Sequence, residues 1–195
     1  GQAPAMVICK NRTIPSQWLI WHQGLTAPGY QLLFNTGAEG GPGGNLVQVT
    51  PTSTVFQIGS SVEVSNDCVA YCFAEKQGYS KFGKYVGNGN ANGAFVYTGF
   101  KPAWVMVKGT SNGYHWTIWD SKRNPHNEVK ERINANSADA AYAGTAGNDY
   151  VDFLSNGFKL RSTRSASNVA NITYIYMAFA ENPFVTSTGI PTTAR

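Results

Sequence analysis

An all-β fold of two tandem, related β-sandwich-like units, paired largely antiparallel, is predicted by three features of this 195-residue chain: an internal repeat, many short apolar runs, and a composition poor in charge and rich in glycine. Ala3-Pro4-Ala5-Met6-Val7-Ile8-Cys9-Lys10 reappears as Lys101-Pro102-Ala103-Trp104-Val105-Met106-Val107-Lys108. At the same offset, Trp18-Leu19-Ile20-Trp21 reappears as Trp116-Thr117-Ile118-Trp119. Phe56-Gln57-Ile58 matches Phe158-Lys159-Leu160, and Tyr71-Cys72-Phe73-Ala74-Glu75 matches Met177-Ala178-Phe179-Ala180-Glu181, so the second copy carries longer loops. The matched positions are mostly apolar and report architecture before chemistry. Charged residues make up 13% and aromatics another 13%, with 21 glycines, a balance of β-rich extracellular or particle-bound proteins rather than charged helical ones.

The elements follow from apolar runs bounded by turn residues. Strands are expected at Ala5 to Lys10, Gln17 to His22, Tyr30 to Phe34, Val55 to Ile58, Val69 to Phe73 and Phe95 to Tyr97, and then in a second series. Asn88-Gly89, Asn92-Gly93, Asn112-Gly113 and Asn156-Gly157 suit type I′ hairpin turns. Glu128 to Ile133 is the one helix candidate; its counterpart around Leu32-Leu33 looks extended, so a strand or one short turn is expected there. In Gln17 to His22, alternation puts Trp18, Ile20 and His22 on one face and Leu19 and Trp21 on the other, and the second copy repeats this. A strand apolar on both faces needs a cover on each, so these aromatics read as core. The organisation expected is a first repeat over 1–81, a linking hairpin over 82–100, a second repeat over 101–184 and a surface tail over 185–195.

The three cysteines form no disulfide framework, since Cys68 and Cys72 share a strand face about 13 Å apart at 3.3 Å per residue. All three, Cys9 included, read as small buried hydrophobes. No zinc-ligand spacing is present, and apolar runs such as Met6 to Cys9 are too short to span a membrane. No cofactor, nucleic acid or membrane insertion is expected. The net charge is +4 and most of the positively charged residues lie in the second copy, where alternating Lys159 and Arg161 present two cations to an anionic glycan or phosphate, or simply to solvent.

Several longer segments carry a resemblance: Tyr71-Cys72-Phe73-Ala74-Glu75, Tyr85-Val86-Gly87-Asn88-Gly89, Tyr97-Thr98-Gly99-Phe100-Lys101-Pro102-Ala103-Trp104-Val105, Asp152-Phe153-Leu154-Ser155-Asn156-Gly157-Phe158-Lys159-Leu160 and Met177-Ala178-Phe179-Ala180-Glu181-Asn182-Pro183-Phe184. Over essentially its whole length the chain resembles a repeat domain of tail-fibre-like virion proteins from marine tailed bacteriophages, cyanophages among them. The resemblance implies the C-terminal part of a fibre or appendage protein, made in the bacterial cytoplasm and exposed on the extracellular particle. It also implies a homo-oligomer, a trimer by family analogy, contacts with other virion proteins, and host attachment as the role. It brings no catalytic residues.

The residues themselves favour binding over catalysis. His22, His115 and His126 are the only histidines, and none lies in a Gly-x-Ser-x-Gly elbow. Glu75 and Glu181 are repeat equivalents at strand ends, a shared structural device rather than the two carboxylates of a glycosidase. Gly87 to Gly93 is similar in composition to phosphate-binding loops, but no helix follows it. Asp149 and Asp152 beside Asn148 offer oxygens for calcium, with a structural loop as the simpler reading. Asn11-Arg12-Thr13 and Asn171-Ile172-Thr173 are chance matches to a glycosylation sequon. Sugar binding fits best, because exposed aromatic rings stack on pyranose faces while polar side chains bond the hydroxyls. The loop after the Trp pair differs between copies, so His22, Gln23, Asp120, Lys122, Arg123 and Asn124 are the candidate contacts to a host cell-surface polysaccharide. A purely architectural virion part and a polysaccharide depolymerase are the alternatives.

Overall fold

The computed structural model describes residues 1–41, 46–59, 67–111, 113–142 and 150–182. Asn112, Asn148, Asp149 and the tail at 185–195 lie outside the described residues, so the turn, calcium and tail readings placed there go unaddressed. The described chain is all-β with antiparallel pairing throughout.

Among the described residues, twelve strands form three sheets. The first sheet contains β1 (Met6–Asn11), β2 (Leu19–His22), β3 (Leu32–Leu33) and β4 (Cys68–Phe73), in the order β3-β2-β1-β4. The central sheet contains β5 (Ser80–Val86), β7 (Pro102–Gly109), β8 (Thr117–Asp120), β9 (Ile133–Asn134) and β12 (Thr173–Ala180), in the order β5-β12-β7-β8-β9. The third contains β6 (Phe95–Tyr97), β10 (Val151–Leu154) and β11 (Gly157–Leu160), in the order β10-β11-β6.

The order β3-β2-β1-β4 of the first sheet matches β9-β8-β7-β12 of the central one. Registers agree as well: Met6 opposes His22 and Phe73, while Trp104 opposes Asp120 and Phe179.

Alternation explains the layering. Met6, Ile20 and Leu32 of the first sheet share one core with Phe82, Met106, Trp116, Ile118, Ile175 and Met177 of the central sheet. The opposite face of the central sheet places Val105, Val107, Trp119, Tyr174 and Tyr176 against Phe153, Phe158 and Leu160 of the third. The outer side of the first sheet, with Val7, Cys9 and Trp21, joins Leu46 and Val47 in the first core, and an isolated Val47–Ile58 bridge takes the place of a regular strand at 55–58. Trp116 packs on Phe34 at 5.2 Å between ring centroids and donates Nε1–H to the Leu33 carbonyl at 3.0 Å. Burying one such indole is worth at most about 5 kcal/mol at about 25 cal/mol/Å².

Four sequence readings need correction. Residues 82–100 form no hairpin, since β5 pairs with β12 and β6 with β11. The boundary at 81 therefore falls inside β5. The loop between them is fastened elsewhere: Asn168, fully buried, accepts the Asn88 N–H at 3.0 Å and donates to Asn88 Oδ1, the Asn90 carbonyl and the Ser162 carbonyl at 2.7–2.9 Å. Second, the Asn-Gly pairs are not type I′ turns. Among their described glycines only Gly89 has a positive φ, 66°. Gly157 is instead required by a neighbour, because a Cβ there would sit 2.1 Å from the Val96 carbonyl oxygen. Third, Trp18 is 40% exposed despite its repeat partner Trp116 being buried. It precedes β2 and stacks on half-exposed Tyr71 at 6.4 Å. Fourth, only Cys9 is buried; Cys68 is half-buried and Cys72 exposed, because β4 lies at a sheet edge. Around 128–133 the extended alternative holds, ending in β9.

Candidate functional site

β2 ends at His22, where the chain turns tightly. The fully buried His22 points Nε2 at the Tyr176 carbonyl, 3.1 Å away, and receives the Gly24 N–H on Nδ1 at 2.9 Å. A carbonyl only accepts, so Nε2 carries the proton and Nδ1 the lone pair. Burial pushes the imidazole pKa down to about 4, opposed by the Tyr176 bond and the Glu75 charge. A Cβ on residue 24 would meet His22 Nδ1 at 3.0 Å and the Ile175 side chain at 3.1 Å, which is why glycine stands there.

Gln23 is exposed, yet its amide donates to the Phe82 carbonyl at 2.8 Å and to Glu75 Oε1 at 3.1 Å. Glu75 also pairs with Lys81 at 3.0 Å and accepts the Phe82 N–H at 3.2 Å. Glu181 is likewise held by a lysine, Lys122. Both strand-end glutamates are thus anchors.

Beside this turn opens a cleft of about 400 Å³, walled by Trp21, His22, Gln23, Thr50, Pro51 and Lys84. It exists because β2's turn, the N-terminal Ala3-Pro4 segment and the strand β5 converge on one point. Trp21 is 4% exposed, and its Nε1–H has no acceptor among the described residues. That N–H is shut off from solvent as well, so it is a cost inside the fold and is not presented to the cleft. Thr50 and Lys84 are exposed at the mouth, and Lys84 forms no ion pair among the described residues. At its mouth the cleft offers a hydroxyl and a cation.

The second loop is organised differently. Asp120 accepts the N–H groups of Lys122 and Arg123 at 3.0 and 2.9 Å and pairs with Arg123 Nε at 2.8 Å. Asn124 Oδ1 accepts the N–H groups of Lys130 and Glu131 at 2.8 and 2.5 Å. These side chains hold their own loop. His22 meets β12 at Tyr176 and Lys122 reaches Glu181 just past its end, a separation of about 17 Å at 3.3 Å per residue. The six sequence-selected residues therefore do not converge: His22 and Gln23 line the cleft, while Asp120, Lys122, Arg123 and Asn124 stand apart.

Arg161 pairs with Asp152 at 2.8 Å, so that carboxylate serves a cation of the protein. No cluster of three or more His, Cys, Asp or Glu able to hold a metal occurs among the described residues. No helix among them is long and apolar enough to cross a membrane. Sequence reading missed Thr50, Pro51 and Lys84, which come together only in three dimensions. Trp21 was visible as half of the Trp pair, but its orphan N–H was not.

The family model described as "Domain of unknown function (DUF7483)" matches residues 1–183. No curated protein and no solved structure matches the chain.

Proposed function

The chain belongs to that family over nearly its whole length, and on its structure we propose that it is a non-enzymatic module of a bacteriophage tail fibre or appendage, contributing to host attachment by binding a cell-surface glycan. The observation that carries this reading is the cleft of about 400 Å³ beside β2, whose mouth holds exposed Thr50 and exposed Lys84, the lysine without an ion pair among the described residues. Saccharides present hydroxyl groups that the Thr50 hydroxyl and the Lys84 ammonium can bond. Lys84 favours an acidic sugar such as a uronate, whose carboxylate it would meet at the mouth. The repeated sheet order and register support descent from one duplicated unit, with one copy free to acquire a binding turn.

A purely architectural role is the second reading. It is favoured by Asp120, Asn124 and His22, whose polar atoms are spent inside the fold.

The test is binding of labelled protein to candidate host cells, with free acidic polysaccharide as competitor. Saturable binding that the polysaccharide abolishes, and that Thr50→Ala and Lys84→Ala each weaken about tenfold, is the expected result, one polar contact being worth about 1.4 kcal/mol. Binding indifferent to both substitutions would remove the cleft, and no binding by the folded chain would leave the architectural role.

A further inference from the structure

The third sheet turns Val96, Phe153, Phe158 and Leu160 into the core against the central sheet. Alternation therefore puts Phe95 and Tyr97 of β6, Gly157 and Lys159 of β11, and Asp152 of β10 on its outer face, with Arg161 just past β11. Register makes two rows of these side chains: Phe95 opposes Lys159, which opposes Asp152, and Tyr97 opposes Gly157. Most aromatic rings of this chain are buried, yet Phe95 is 46% exposed and Tyr97 63%.

Both rings rest on glycines. A Cβ on Gly157 would come within 3.0 Å of Phe95 Cε2, so the Phe95 ring leans across the sheet into the space that glycine leaves. A Cβ on Gly99 would lie 3.6 Å from the Tyr97 hydroxyl oxygen, so the Tyr97 ring reaches along its own strand over Gly99. Rings that lie over backbone turn a face to solvent, and these two start about 7 Å apart at 3.4 Å per residue. The charge beside them is one spare cation: Arg161 pairs with Asp152 at 2.8 Å, while Lys159 forms no ion pair among the described residues.

We propose that this outer face is a second saccharide-binding surface, on which Phe95 and Tyr97 stack on the sugars of an acidic polysaccharide and Lys159 meets a carboxylate of the same chain. A pyranose has an apolar C–H face, which leaves water against a ring, and a rim of hydroxyls. The core of a protein interface is depleted in lysine and aspartate, and here both stand in the same row as Phe95. A single-stranded nucleic acid needs a positive groove along its phosphates, which one spare lysine does not make. A polymer with a charge on some of its sugars fits both the rings and the lysine. The third sheet covers the side of the central sheet away from the first sheet, so this surface is separate from the cleft at the turn of β2. The inference rests on the proposed function only for where the glycan comes from, the host surface. Two separate contacts on one polymer would also add avidity.

Equilibrium binding of polygalacturonate to the purified chain tests this, with oligo-dT as the nucleic-acid arm. Phe95→Ala and Tyr97→Ala remove exposed rings from an edge strand, and thermal melts check that both variants stay folded. Each is expected to weaken binding about tenfold, while Tyr97→Phe, which keeps the ring, leaves it within about twofold. Lys159→Ala is expected to weaken binding and to flatten its dependence on salt. Lys84→Ala separates the two sites: binding is expected to persist in that variant and to remain sensitive to Tyr97→Ala. Binding that ignores Phe95→Ala and Tyr97→Ala overturns this proposal and leaves the cleft standing. Binding that responds to them but ignores Lys84→Ala and Thr50→Ala supports this surface and removes the cleft. Oligo-dT bound more tightly than polygalacturonate, or no polygalacturonate bound by the folded chain, overturns the proposal.

Discussion

The Nε2 of His22 lies 3.1 Å from the carbonyl oxygen of Tyr176, so a single imidazole from the first sheet is bolted to the middle of the central sheet's last strand. The bond needs the neutral ring with its proton on Nε2 and its Nδ1 lone pair on the Gly24 N–H. Protonation would force a second donor against that N–H.

An acid-sensitive stability follows. The folded pKa is about 4 against an ordinary 6.5, so between these values the unfolded chain binds more protons and stability rises with pH. The contribution is complete above pH 6.5 and is lost as pH falls toward 4, by roughly 3 kcal/mol in all. Urea denaturation of the natural chain and of His22→Gln across this range is expected to give a steeper pH slope for the natural chain, with the variant less stable at pH 7.

Lys108 is fully buried on the central sheet, reaching the Thr36 carbonyl at 3.4 Å, and burial pulls its pKa down to about 8. Here too the folded value is depressed, so this group adds stability as pH rises from 8 to 10.5. Lys108→Met is expected to be more stable than the natural chain at pH 7 by about 1–3 kcal/mol. Thermal melts are expected to show that gap closing toward pH 10.5.

The two repeat-equivalent tryptophans are predicted to respond unequally. Trp116→Phe empties part of the inter-sheet core and orphans the Leu33 carbonyl, costing about 2–3 kcal/mol. Trp18→Phe is expected to stay within about 0.5 kcal/mol in the monomer. Chemical denaturation of the two variants side by side reads the difference.

Asn168→Ala is expected to cost about 3 kcal/mol, because one amide holds Asn88, Asn90 and Ser162 at once. Hydrogen exchange should localise the loss of protection to residues 87–94.

The legible parts of this fold were those that apolar alternation controls. β1, β2, β4 and β6 lie where the runs of Met6, Leu19, Val69 and Phe95 put them, because a half-buried strand must alternate. The exposure of Trp18 was not legible, since Trp116 stands equally one residue before its strand and is buried; the difference lies in their neighbours, Phe34 and the Leu33 carbonyl for Trp116 against Tyr71 of the edge strand β4 for Trp18. Asn88 to Gly93 looked like a hairpin because its composition is that of a turn, while its anchor, Asn168, is 80 residues away. Within the candidate site, His22 and Gln23 could be found as a place where the copies diverge. Lys84 and Thr50 could not, since nothing local marks residues that meet only after the sheets stack.

The position of β12 governs how this chain can be made. It is the last described strand in sequence, yet it sits between β5 and β7, pairing with both. Until residue 180 has left the ribosome, β5 has no partner strand among the described residues, and the open edge of β7 waits for a neighbour synthesised some seventy residues later. Completion is therefore an insertion rather than an addition, a non-local event of the kind that slows folding. A nascent or truncated chain stopping short of Thr173 would display an unzipped central sheet, and would be a substrate for chaperones and proteases rather than a half-sized version of the protein.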